Sequence, residues 1–356
     1  MQKINFIGQF HGPMGIPQHA REMVVALNKI GADVSAIQIF NNQESKVKLP
    51  KEVIASLKKK FHPDAPGVVF WYPDAYKGFD VFPKTLGYFI FEYTKIPRQF
   101  ISLINDSGLV GICTASEWGK KTLIDNGVTI PVHVIPGGIN TDTFNTENKI
   151  LNTKTFSFLH IGKFENRKST YETIVAFNSA SMGDPRVRLT LSIDNPHISN
   201  FSAEDYVASV TKNLPYSSTN IDVIHFVSDI TQLYKTHHCA VFPTKAEGIG
   251  LPIVEAMACG MPVITSFNTG ITEYANDNNA ILLKKSKEEE IYDPHFFPNK
   301  GEFGTWMAPD IDELTEKMMW VLDHKQEAAA IGERAAIELK DKYTWETAAK
   351  RLLEIL

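Results

Sequence analysis

Two short stretches of this 356-residue chain combine glycines, cations and carboxylates in a pattern suited to holding a phosphorylated ligand. The first is Glu247-Gly248-Ile249-Gly250-Leu251-Pro252-Ile253-Val254-Glu255, with seven residues between its two glutamates. It follows the apolar run Cys239 to Phe242 and leads into helix-period sequence from Pro252 to Cys259. The stretch therefore belongs beyond the carboxyl end of a strand, where open α/β sheets bind ligands. Gly248 and Gly250 allow backbone N–H groups to approach an anion, and the helix start adds a positive partial charge. Glu247 can accept hydrogen bonds from hydroxyl groups in the loop. Glu255 falls about one turn into the helix and reaches toward the same side. An isolated pair of glutamates is more often one turn residue and one solvated helix residue.

The second stretch is Gly162-Lys163-Phe164-Glu165-Asn166-Arg167-Lys168-Ser169, after the apolar run Phe156 to Ile161. It again lies at a strand's carboxyl end and before a helix, and it gathers the cations Lys163, Arg167 and Lys168. A diphosphate leaving group needs such neutralisation, because charge grows on its oxygens as the bond to it breaks. A basic cluster without this placement would be a solvated surface. A third element, Gly12-Pro13-Met14-Gly15-Ile16-Pro17, follows the first strand, and His11 precedes it. Glycines at a helix entrance suit close backbone approach to phosphate or sugar. The Gly-x-Gly-x-x-Gly fingerprint is absent, so this turn is not a dinucleotide site of that kind.

The elements that would position these loops alternate along the chain. Strand candidates are Ile4 to Ile7, Val34 to Phe40, Val68 to Trp71, Leu86 to Phe91, Leu109 to Cys113 and Val132 to Ile135. After them come Phe156 to Ile161, Val187 to Ile193, Val223 to Val227, Cys239 to Phe242 and Val263 to Thr265. Short β-branched runs separated by helical patterns imply parallel strands in a doubly wound sheet. The break from Pro136 to Lys154, rich in Gly, Asn and Thr, reads as a linker. It separates residues 1–145 from residues 150–340, two Rossmann-like halves. Asp310 with Glu313 has the capping-box spacing, and Thr344 is the expected N-cap of a last helix from Trp345.

Composition narrows the functional classes. The net charge of −5 gives no broad basic field, which argues against nucleic-acid binding. The basic stretch Lys46 to Lys60 reads as a solvated face and allows at most peripheral membrane contact. No apolar run approaches the ~20 residues of a membrane span. Three dispersed cysteines, Cys113, Cys239 and Cys259, fit buried thiols in a reducing cytoplasm. With no secretory-signal pattern at Met1, a cytoplasmic enzyme is the expected setting.

The two-glutamate stretch and the small-residue run after it, Ala256 to Ile264, closely resemble the signature of glycosyltransferase family 4. That resemblance implies a GT-B fold of two Rossmann-like domains facing across a cleft, and a retaining transfer from a UDP- or GDP-sugar. It implies that Glu255 holds the ribose and that Glu247, with the N–H groups of Gly248, Ile249, Gly250 and Leu251, grips the transferred sugar. Lys163, Arg167, Lys168 and Gly15 would face the diphosphate, Lys168 matching the family lysine. Many members have Arg where Lys163 stands, which exchanges a bidentate fork for a point charge. Phe226 and Val227 align with the stretch flanking the nucleobase. Thr114 to Trp118, Val134 to Asn140 and Phe144 resemble the domain-closing segment. In that fold the last helix crosses back, so residues 344–356 are placed on the N-terminal domain.

One departure concerns the catalytic His that many members carry at the end of a middle strand. Here the strand Leu86 to Phe91 leads to Glu92. Glu92 suits either a sugar or acceptor hydroxyl or a salt bridge to Lys95 or Arg98, and both uses stay open; His11 and Gly12 are further acceptor-side candidates. The resemblance implies no cofactor beyond the nucleotide sugar as co-substrate and no essential metal. It leaves the acceptor undefined among glycan, lipid, protein and small molecule. Two other readings fit the same loops: a sugar-nucleotide epimerase or hydrolase, and a non-catalytic nucleotide-sugar-binding subunit.

Overall fold

The computed structural model describes residues 1–40, 47–78, 82–225, 227 and 229–356. Its contacts divide the chain into two units, Met1–Asn140 with Lys342–Leu356, and Thr141–Asp341.

The first unit holds the parallel strands β1 (Lys3–Gly8), β2 (Asp33–Gln38), β3 (Gly67–Phe70), β4 (Thr85–Tyr88), β5 (Gly111–Thr114) and β6 (Val132–Val134). Between them run the helices α1 (Gly15–Lys29), α2 (Lys51–Leu57), α3 (Arg98–Asn105) and α4 (Glu117–Asp125). The sheet order β2-β1-β3-β4-β5-β6 reverses direction between β1 and β3, the switch point of a doubly wound sheet. All four residues of β3 are buried, as a strand covered on both faces requires. Ser116 caps α4 by accepting the N–H of Gly119 at 2.9 Å. Within the basic stretch, Lys46 lies outside the described residues, Lys58 and Lys60 are exposed, and Lys59 pairs with Asp33 at 2.6 Å.

The second unit repeats the plan with β7 (Phe156–Ile161), β8 (Val187–Ser192), β9 (Ile221–Val223), β10 (Cys239–Phe242), β11 (Val263–Ser266) and β12 (Ile281–Leu283). Its helices are α5 (Thr170–Ser181), α6 (Ala203–Thr211), α7 (Thr231–Thr236), α8 (Leu251–Ala258), α9 (Ile311–Asp323) and α10 (Lys325–Lys342). The order β12-β11-β10-β7-β8-β9 places the reversal between β7 and β10. Phe158, Phe177, Leu189, Leu191, Val241 and Met318 form the centre of its core. A separate antiparallel hairpin, β13 (Ser286–Glu290) and β14 (Thr305–Pro309), pairs Ser286 with Pro309 and Glu290 with Thr305. Cys113, Cys239 and Cys259 are buried thiols.

Three local expectations need correction. The strand expected from Val223 to Val227 runs instead from Ile221 to Val223, because its partner β8 ends at Ser192 before Asn195-Pro196 turns the chain away. Val227 therefore lies in the following segment, and Phe226 lies outside the described residues. The strand expected to reach Phe91 stops at Tyr88, where pairing with β5 ends at Cys113. Its apolar continuation forms an aromatic cluster, with Phe89 and Phe91 ring centres 4.9 Å apart and Tyr93 5.3 Å from Phe91. The capping box is half made. Asp310 accepts the N–H of Glu313 at 2.7 Å, while the Glu313 carboxylate accepts the N–H groups of Lys284 and Lys285 at 2.9 and 2.7 Å.

The last helix, α11 (Trp345–Ile355), packs against α1, with Ala348, Ala349 and Leu352 buried. Thr344 caps it through the N–H of Thr347 at 3.2 Å, and Ile139 N donates to Tyr343 O at 2.9 Å. The Trp345 ring meets the buried His19 ring edge-on at 4.6 Å. Only glycine fits beneath this junction: a Cβ on Gly138 would lie 2.3 Å from Trp345 N and 2.5 Å from Thr344 C. Gly138→Ala is therefore expected to destabilise the protein by about 1–3 kcal/mol, the usual cost of overpacking. Thermal unfolding measures it, and a melting temperature equal to the parent's would contradict the close approach.

Candidate active site

In the second unit, β7 and β10 are paired neighbours at the switch point, Cys239 opposite Phe158 and Ala240 opposite Leu159. The turn after β7 and the loop after β10 consequently leave the sheet side by side. Residues Asn166–Lys168 form a tight 3₁₀ turn, closed by Lys168 N donating to Glu165 O at 3.0 Å. Ser169, the N-cap residue before α5, has φ of +56°, a left-handed conformation that is strained for a residue with a Cβ. The turn is tied to the β10 loop through Lys245 N, which donates to Arg167 O at 2.8 Å.

Side chains from the two loops interlock. Arg167 Nη1 lies 2.9 Å from Glu247 Oε2 and also donates to Ala246 O at 2.8 Å, while its Nη2 lies 2.9 Å from Glu165 Oε2. Lys168 Nζ donates to Glu247 Oε1 at 2.6 Å, and Lys163 pairs with the other oxygen of Glu165. The side chains of Glu165, Arg167, Lys168 and Glu247 are at most 10% exposed, so these pairs are largely withdrawn from water. Three cations, Lys163, Arg167 and Lys168, face two carboxylates, Glu165 and Glu247, leaving one positive charge in excess. Burial alone would raise the carboxyl of Glu165, but Arg167, Lys163 and Lys168 outweigh it and hold it at about 2. The carboxyl of Glu247 is likewise lowered, with Arg167 and Lys168 overcoming burial. Burial and the neighbouring Arg167 lower the Lys168 ammonium, against the pull of Glu247 and Glu165.

The loop that carries Glu247 is fixed by its backbone. Glu247 N donates to Thr269 Oγ1 at 2.8 Å, and Gly270 N donates to Glu247 O at 2.9 Å. Gly250 has φ of +81°, which lets the chain turn sharply into α8. Tyr274 Oη donates to Ile249 O at 2.7 Å from outside the turn. Glu255, on α8, accepts the Tyr234 hydroxyl of α7 at 2.9 Å. The hydroxyls of Ser169 and Thr244 are buried beside the loops and lack a hydrogen-bond partner among the described residues.

The structure thus gathers Lys163, Arg167, Lys168 and Glu247 into one ion-paired cluster, with Gly248, Ile249, Gly250 and Leu251 continuing from it. Glu255 stands apart from that cluster in its partner, Tyr234. His11, Gly12, Gly15 and Glu92 belong to the first unit. There Gly15 opens α1, and the buried Arg21 donates to Phe10 O and Gly12 O, both at 2.8 Å, bracing the glycine turn. Glu92 is half-buried in the loop four residues beyond β4. Glu165, Thr269, Arg21 and Tyr234 were not singled out by sequence reasoning. Glu165 lay within the basic stretch and could have been read as its counter-charge; the other three lie outside the recognised motifs.

Residues 143–293 match the family model described as glycosyl transferases group 1. The capsular polysaccharide biosynthesis glycosyltransferase CapM of Staphylococcus aureus is 28% identical over 175 residues, covering 47% of this chain and 44% of CapM. The chain thus spans less than half the length of that curated relative. Sucrose-phosphate synthase from Thermosynechococcus elongatus superposes with a TM-score of 0.72 at 16% identity, covering 100% of this chain and 98% of that structure. Anabaena HepE, solved with UDP and glucose, superposes with a TM-score of 0.69 at 14% identity, covering 100% and 99%. The fold is GT-B.

The buried charges set a pH dependence. Glu165 and Glu247 have lowered carboxyl pKa values, so their pairing stabilises the fold above the ordinary carboxyl range and is lost as pH falls. For Glu165 that loss spans pH 4.5 to about 2. Glu165→Gln should cost about 3 kcal/mol near neutrality and flatten the stability curve across this window. Chemical denaturation at a series of pH values reads both effects; curves superimposable on the parent's would contradict the pairing.

Proposed function

We propose that this protein is a retaining glycosyltransferase of the family 4 type, moving a hexose-type sugar from a UDP- or GDP-sugar to an acceptor hydroxyl. One observation carries the reading: Glu247, Arg167 and Lys168 meet in a buried cluster with excess positive charge at the β7–β10 switch point. A nucleoside diphosphate is the ligand whose charge such a cluster complements. Support comes also from HepE, whose structures hold UDP and UDP-glucose.

In this proposal Lys163, Arg167 and Lys168 neutralise the diphosphate. Glu247 and the N–H groups of Gly248 to Leu251 hold the transferred sugar, Glu255 holds the ribose, and Val227 flanks the base. His11, Gly12 and Glu92 serve the acceptor. The acceptor oxygen forms its bond to the anomeric carbon on the face from which the diphosphate departs. Its proton passes to a phosphate oxygen of the leaving group, and the anomeric configuration is kept. No step calls for a metal or other cofactor. The fixed cations need no reorganisation as charge grows on the leaving oxygens, which is where their rate advantage arises.

A second reading, a nucleotide-sugar-binding subunit without catalysis, draws on the loop after β4, which offers Glu92 and no histidine. Incubation with UDP-glucose, UDP-N-acetylglucosamine and GDP-mannose, alone and with candidate acceptors, separates the two. Transfer with retention supports the enzyme; saturable binding without transfer or hydrolysis supports the subunit; conversion of donor alone at full rate supports an epimerase or hydrolase. For a transferase, Lys168→Ala should lower turnover by about 100-fold, a loss on the order of 3 kcal/mol. A steady-state rate equal to the parent's would remove Lys168 from the mechanism.

A further inference from the structure

The hairpin β13–β14 has no part in the mechanism above, yet its connecting segment lies against the diphosphate turn. Asn166 is where they join. Its N–H donates to Asp293 Oδ2 at 2.9 Å, and its side-chain amide donates to Tyr292 O at 2.9 Å. Its side-chain oxygen accepts from Lys245 Nζ at 3.0 Å. Lys245 is 4% exposed and continues to Glu289 of β13 at 2.6 Å and to Glu172 of α5 at 3.4 Å. Met307 of β14 donates its N–H to Lys245 O at 3.2 Å, so the hairpin grips Lys245 from both strands. The other oxygen of Asp293 accepts from His295 N and Phe296 N at 2.9 and 3.1 Å. That second set of bonds orders the segment from which Phe296 meets Lys163, whose Nζ lies 5.1 Å from the ring centre.

Both polar atoms of the Asn166 side chain, together with its N–H, are engaged by the segment joining the hairpin strands or by Lys245. The next two residues are Arg167 and Lys168. We infer that Asp293 and Lys245 are positioning residues, which act through Asn166 to hold the Arg167–Lys168 turn in the geometry that receives the diphosphate. The turn needs an external brace because it is short and ends in the strained Ser169. Three side-chain cations pressed together also repel one another, and Glu165 and Glu247 offset only part of that repulsion. Without the brace the turn would relax, and the donor would have to restore its geometry on binding.

This inference rests on the proposed function only for its consequence, and two readouts separate them. The first is amide hydrogen exchange of residues 163–169 in the ligand-free full chain. Asp293→Ala should accelerate exchange there by at least about tenfold while leaving β7 and β10 as protected as in the parent. Lys245→Met, which keeps the apolar stem, should do the same; Lys245→Arg should restore most of the protection. Glu290→Gln, which removes a charge from an exposed position of β13, should leave exchange unchanged. Unaltered exchange in both Asp293→Ala and Lys245→Met would overturn the inference, whatever the protein binds. The second readout is calorimetric binding of UDP and of GDP. The nucleotide that the parent binds should bind about tenfold more weakly to Asp293→Ala and normally to Glu290→Gln. Faster exchange with unchanged nucleotide affinity, or with no nucleotide bound by the parent, would sustain the brace and overturn the diphosphate assignment instead.

Discussion

The arrangement depends on one constraint: a carboxylate, Glu247, is buried and must be compensated. Removing such a group from water costs several kcal/mol unless charges and hydrogen bonds replace its hydration. Arg167 and Lys168 supply that replacement, one on each oxygen. Two buried cations on adjacent residues raise a second problem, which Glu165 meets by pairing with Arg167 and Lys163. The guanidinium joins both carboxylates through separate nitrogens, because it presents several donors in a fixed plane. The cluster still carries more positive than negative charge, so it is satisfied as it stands and also attractive to an added anion.

This compensation works only because the two loops start from adjacent strands. The reversal of strand order between β7 and β10 leaves no crossover helix above their carboxyl ends, and both turns fill that opening. The backbone then fixes the carboxylate from below, through Thr269 and Gly270. The left-handed Gly250 releases the chain into α8, which carries Glu255 to Tyr234. Backbone hydrogen bonds and the neighbouring side chains thus hold both charged loops in place. The first unit uses the same plan at β1 and β3, where Arg21 ties down the turn after β1.

Much of this was legible in the sequence, for identifiable reasons. Cys239–Phe242 was readable to the residue because a parallel strand buried on both faces is a short continuous apolar run, and Phe156–Ile161 was readable because four of its six residues are apolar. The cations and the glutamates stood out by their placement after those runs. The failures follow from the same logic. Ser286–Glu290 is a strand of almost wholly exposed charged residues, stabilised by its partner Thr305–Pro309, and apolar periodicity cannot reveal it. Phe89 and Phe91 looked like strand because they are apolar, but Phe89 N makes the last bond to β5, at Cys113 O, and the two rings then cluster with one another. Glu313 matched a local capping pattern, and tertiary contact with Lys284 and Lys285 took its carboxylate away. Partnerships between residues 79 apart, such as Lys168 with Glu247, have no local trace at all.

The central claim is that the charged cluster between β7 and β10 receives the diphosphate of a nucleotide. A crystal structure of the protein grown with UDP, or with GDP if calorimetry prefers it, tests this most directly. The account predicts the β-phosphate within hydrogen-bonding distance of Lys168 Nζ and Arg167, with the ribose hydroxyls at Glu255. A nucleotide seated elsewhere, with Glu247 still holding both cations and no phosphate near them, would contradict it.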